Sequence, residues 1–146
     1  MGESMESFLT DTQIKVLKLR RKGLTLEEIA NLMNTTKANI CMIEKRAREN
    51  VEKARNTLKI YESIIAPLKI TVEEGTDVFQ IPKMIYKESD KLNIHVKYNS
   101  LELIDLIYRN MKDNIEKRVV KKPFVICVSE DGDVLFLDYS IAEVIV

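Results

Sequence analysis

The sequence predicts an α+β chain: an N-terminal helix-turn-helix running into a long third helix, then a small α/β domain of order β-α-β-α-β-β. Three observations predict it. Between Thr10 and Lys22, and again from Thr25, capping sequences and a glycine stop punctuate apolar residues at helical spacing. From Thr36 to Ala66 neither Gly nor Pro interrupts the chain, and Pro67 ends the stretch. Beyond Pro67, short alternating or wholly apolar runs alternate with amphipathic stretches. The 146 residues are room for two small domains, expected at 6–66 and 67–146.

Thr10-Asp11-Thr12-Gln13 has the Thr-x-x-Gln form of a capping box, so a helix starts there, carries Ile14, Leu17 and Leu19, and stops at Gly23. Thr25-Leu26-Glu27-Glu28 is the Thr-x-x-Glu form and opens a short helix with Ile29, Ala30, Leu32 and Met33. Asn34 tolerates the left-handed backbone of a turn, and Thr35 or Thr36 can cap the third helix. In that helix Ile40, Ile43, Ala47, Val51, Ala54, Leu58, Tyr61 and Ile65 are spaced 3, 4, 4, 3, 4, 3, 4, close to a heptad. Its far half is either an ordinary amphipathic face or a seam for a second subunit.

In the second half Leu68–Val72 alternates as a strand, and residues 73–77 form a turn. Pro82 suits the first position of a helix carrying Met84, Ile85 and Leu92. Ile94–Tyr98 alternates as a second strand, and Ser100 caps a helix bearing Leu101, Leu103, Ile104, Ile107, Tyr108 and Met111. Phe124–Val128 is almost wholly apolar, as in a central strand. Asp131-Gly132 turns the chain into a return strand, Val134–Leu137. The apolar Ile141–Val146 is an added strand or a contact with a partner.

Charge separates the two halves. Lys plus Arg equals Asp plus Glu over the whole chain, but residues 8–59 hold 12 basic side chains against 6 acidic ones, and residues 67–146 hold 11 against 14. An anionic partner is therefore expected for the first half only. No apolar run approaches the roughly 18 residues of a membrane span. Met1–Glu6 has no basic stretch leading into an apolar one, so no secretory signal is expected, and Met5 suits a natural start. Two cysteines in opposite halves fit a reducing, cytoplasmic setting. One histidine and no clustered cysteines argue against zinc, and no cofactor or metal is expected.

Residues 26–45 carry the chemistry. Two short helices packed at a steep angle need a small residue at the crossing, a turn between them and apolar residues aimed inward. Ala30 suits the crossing, Asn34 the turn, and Ile40 with Ile43 point the second helix inward, with Leu17 and Leu24 as the other wall. The helical period then sends Thr36, Lys37, Asn39, Cys41, Met42, Lys45 and Arg46 outward. The early residues of such a helix enter the major groove of duplex DNA, where base edges carry distinct patterns of donors and acceptors. Thr36, Lys37, Asn39, Cys41 and Met42 are the candidates for base contacts. Arg20, Arg21, Lys22, Lys45, Arg46 and Arg48 are the candidates for phosphates, which position without reading sequence.

The stretch Phe8–Arg20 followed by Gly23-Leu24-Thr25-Leu26-Glu27-Glu28-Ile29-Ala30 resembles region 4 of bacterial sigma factors and LuxR-type output domains. Thr35-Thr36-Lys37-Ala38-Asn39-Ile40, Lys45–Asn50 and Ala54–Thr57 more closely resemble the Tfx family of archaeal DNA-binding regulators. Tfx-like proteins also carry a C-terminal α/β domain of about this size. The resemblance implies a transcription regulator and leaves any small-molecule effector open.

Single residues elsewhere carry less. Cys127 reads as core, His95 as a structural or surface residue, and Glu102 with Asp105 lacks a third metal ligand. No phosphate-cradling glycine loop and no Ser/His/Asp set is present. The expectation is a sequence-specific regulator, a homodimer on double-stranded DNA, with residues 67–146 assembling or sensing. The competing classes are a module whose basic helices bind an acidic protein and an enzyme housed in residues 67–146.

Overall fold

The computed structural model describes residues 5–145. Residues 1–4, which precede the start expected at Met5, and Val146 of the apolar tail lie outside the described residues. The chain forms two compact units that divide between Leu58 and Lys59, inside the long helix rather than at Pro67.

In the first unit, Thr10 caps α1 (Asp11–Arg21) through the full reciprocal box with Gln13. Gly23 takes a positive φ of 96°, the left-handed stop that glycine adopts most readily. Thr25 caps α2 (Leu26–Leu32) by accepting from the Glu28 N–H, while its own hydroxyl donates to the Glu28 carboxylate. Asn34 turns the chain at φ 59°, and α3 (Lys37–Ile65) follows. Val16, Ile29, Ala30 and Ile40 form the buried core, flanked by Leu19, Leu24, Leu26, Met33 and Ile43. On α1 the inward residues are therefore Val16 and Leu19, not the expected Leu17, and Ile14 is 46% exposed. The reason is angular: Val16 and Leu19 lie three apart and share the face toward α2, whereas Ile14 and Leu17 lie on the neighbouring face.

The second unit is an antiparallel sheet of order β1-β4-β5, built from β1 (Leu68–Val72), β4 (Phe124–Val128) and β5 (Val134–Asp138). Central β4 is buried along its whole length, as its unbroken apolar sequence predicts. Phe124, Ile126 and Val128 face the larger core with α4 (Ile81–Lys91) and α5 (Ser100–Met111). Val125 and Cys127 face the opposite side, against Ala66, Leu137 and Ala142 of α6 (Tyr139–Ile145). The last turns of α3 join this unit: Ser63 is fully buried and donates to the Lys59 carbonyl, and Ala66 just beyond the helix sits in that second cluster.

Four expectations are corrected. Residues 94–98 are not a strand, so the order is β-α-α-β-β-β-β-α. Ile94 and Val96 are buried while His95 and Lys97 are exposed, so the alternation records an extended segment lying on the core without a ladder. Lys97 N–H donates to Gly132 O, and at φ 86° a Cβ on Gly132 would lie 1.9 Å from the His95 carbonyl oxygen. Second, a hairpin of two-residue strands, β2 (Ile115–Glu116) and β3 (Val119–Val120), was not expected. Third, the apolar tail is a helix, not a strand, with Ala142 buried and Val144 exposed. Fourth, Asn99 rather than Ser100 caps α5, through a reciprocal box with Glu102, and Pro82 is the second residue of α4, where Ile81, Ile85 and Ser89 rather than Leu92 form the buried face.

Candidate nucleic-acid interface

Thr36 is the hinge between turn and helix. Its hydroxyl oxygen accepts from Asn39 N–H at 3.1 Å and its carbonyl accepts from Ile40 N–H at 3.1 Å. The hydroxyl proton is left to donate outward. Ile40 and Ala47 are fully buried and Ile43 is partly so, which fixes the rotation of α3 about its axis. At 100° per residue, the face opposite them holds Ala38, Cys41, Met42 and Lys45, all exposed. Met42 is 48% exposed and Cys41 carries a free thiol.

Lys37 and Arg48 lie on one flank of that face, Asn39 and Arg46 on the other, and all four are exposed. Asn39 is tethered, since its Nδ2 donates to Thr35 Oγ1 at 3.0 Å. Ala38 was missed by the sequence reading, although the same helical period identifies it. A methyl group there lets the backbone of the first turn approach a surface closely.

The basic residues separate into two kinds. Arg20 is engaged: its Nε donates to Glu44 at 2.6 Å and its guanidinium to Leu24 O at 3.0 Å. Glu44 is 16% exposed and also accepts from Arg48 Nε at 3.4 Å. The Arg20–Glu44 pair therefore braces the C-terminal end of α1 against α3, and it withdraws an acid from a basic surface. Nothing local announces Glu44; the signal was a carboxylate one helical turn after the inward Ile40, amid basic residues. Arg21, Lys22, Lys37, Lys45 and Arg46 make no ion pair among the described residues. Glu49, one turn beyond Lys45, is an exposed acid on that same face, and the exposed Glu52 follows it.

The second unit has two perturbed acids. Arg118 donates twice to Asp77, both at 2.8 Å, and stacks on Phe79 at 4.3 Å. Those bonds, helped by the Phe79 N–H, hold the Asp77 carboxyl below the usual range. Lys97 does the same to Asp133, and Tyr98 adds a hydrogen bond to it. Both shifts favour the charged carboxylate, the opposite of what a general acid needs. Among the described residues no group of three His, Cys, Asp or Glu could hold a metal ion. No helix among them is long and apolar enough to cross a membrane.

Comparison with known proteins divides the chain near the same place. Residues 7–53 match the model of sigma-70 region 4, and residues 54–136 match the model described as the C-terminal part of the DNA-binding protein TFX. The chain is 62% identical over 128 residues to a protein of Methanocaldococcus jannaschii named for transcriptional regulation, covering 88% of this chain and 93% of that one. It is 46% identical over 122 residues to a similarly named protein of Pyrococcus abyssi, covering 84% and 83%. It is 39% identical over 132 residues to the DNA-binding protein Tfx of Methanothermobacter thermautotrophicus, covering 90% and 96%.

Proposed function

The chain belongs to the Tfx family of DNA-binding transcriptional regulators, and we propose that it reads duplex DNA by placing the leading turns of α3 in the major groove. The observation that carries this is the uncovered first turn. Lys37, Ala38, Cys41, Met42 and Lys45 are exposed while Ile40 and Ala47, on the same helix, are fully buried. A helix held by its apolar face with a small and basic face outward has the shape and charge that a groove requires.

In this reading Lys37 and Met42 contact base edges beside Cys41. Asn39 does so only after exchanging its bond to Thr35. Thr36, Arg21, Lys22, Lys45, Arg46 and Arg48 serve phosphates. Arg20 acts through Glu44 and positions α3. With roughly five phosphates neutralised, the log–log slope of affinity against salt is about −4 to −5. The protein works in the cytoplasm by binding alone, without covalent chemistry. It acts as a homodimer joined by the distal part of α3, which spaces half-sites by about 34 Å or a multiple of it.

The test is Lys37→Ala measured on a preferred site and on random DNA. A base contact predicts a loss of about 1–3 kcal/mol on the preferred site and much less on random DNA. Equal loss on both reassigns Lys37 to phosphate. No loss on either, with Met42→Ala and Lys45→Ala equally silent, overturns the reading in favour of an acidic protein as the partner of the basic helices.

A further inference from the structure

The apolar stripe of α3 has two fates. Ile40 and Ala47 are fully buried, whereas Leu58, Tyr61 and Ile65 are 60%, 60% and 61% exposed. We infer that residues 54–65 of α3 pair with the same segment of a second copy in antiparallel orientation; this rests on the dimer reading above and adds its direction.

The argument is one of register and charge. Ala54, Leu58, Tyr61 and Ile65 are spaced 4, 3, 4, so they alternate as the two inward positions of a heptad. The residues directly after the second kind of position are Arg55 and Glu62, both exposed and without an ion pair among the described residues. The residues on the other flank are Thr57 and Ile64, which carry no charge.

In a parallel pair the two unlike flanks meet, so Arg55 and Glu62 would each face an uncharged residue. In an antiparallel pair like flanks meet. With Leu58 against Tyr61 and Ala54 against Ile65 across a two-fold axis, Arg55 falls beside Glu62 of the other copy, twice. The small Ala54 also leaves room for the large Ile65. Only the antiparallel arrangement uses both charges.

The full-length chain can be tested by sedimentation equilibrium with Arg55→Glu, Glu62→Arg and the double variant. These side chains are exposed, so folding is not at stake. Each single reversal should raise the dimer dissociation constant by roughly tenfold, because two attractions become two repulsions, and the double variant should return it to within about threefold of the original. A dimer indifferent to both reversals would overturn the antiparallel register while leaving the dimer reading intact. A wild-type monomer at high micromolar concentration would overturn both. As a second readout, in a Cys41→Ser background, mixing Leu58→Cys with Tyr61→Cys should give the mixed disulfide in preference to either symmetric one. Preferred symmetric disulfides would indicate a parallel pair.

Discussion

The two units differ in where their information lies. The first is built on one small cluster of buried residues, Val16, Ile29, Ala30 and Ile40, under a surface whose charges and caps announce a task. The second buries sixteen residues in its larger core, and over residues 67–146 basic and acidic side chains nearly balance, 11 against 14. A small core suffices when the part must present one helix at a fixed rotation. The large core is a platform on which the end of α3 is held. The difference teaches that abundance of structure and legibility of function need not coincide.

The largest expected effect breaks that comparison if it is wrong. Ile40→Ala should cost about 2–5 kcal/mol and, in so small a core, unfold the first unit. Hydrogen exchange should then show amides in α1 and α2 losing protection while β1, β4 and β5 keep theirs. Simultaneous loss in both would mean that the units do not fold separately.

Gly132→Ala should follow. The left-handed φ and the His95 carbonyl in the path of the new methyl should destabilise the second unit by about 2–4 kcal/mol. Thermal unfolding should record it, and DNA affinity at low temperature should be unchanged.

A smaller effect sharpens the division among the arginines. Arg20→Ala should lower stability by about 1 kcal/mol with little change in salt slope. Arg46→Ala should flatten the slope by about 0.9 and leave stability alone. A reversed pattern would make Arg20 the phosphate contact.

The smallest effect is in pH. Asp77 and Asp133 have lowered folded-state pKa values, so their contribution is complete above the unfolded value of about 3.9 and declines as pH falls through the lowered ones. Acid titrations of the Asp77→Asn and Asp133→Asn variants should each show a shallower fall than the parent.

Much of the first unit was legible because caps act within four residues. Thr10 with Gln13, Thr25 with Glu28, and Asn34 at the turn declare themselves locally. Arg20 did not, because its partner lies 24 positions away and only packing brings them together. The candidate surface was legible as far as the helical period goes, including the Ala38 that was passed over. In the second unit central β4 was plain from composition. Residues 94–98 misled because burial on a core and pairing in a sheet leave the same alternation. The β2–β3 hairpin is too short for any period, and the tail's apolar run fits a strand as well as a helix until Ala142 finds a face to cover.

The central claim is that the outward side of α3's first turns lies in the groove, and Cys41 tests it directly. Cys41 is exposed there, whereas Cys127 is fully buried. The alkylation rate of Cys41 should fall by about tenfold or more when a preferred duplex saturates the protein. An unchanged rate at saturation would place the DNA on some other surface and contradict the account.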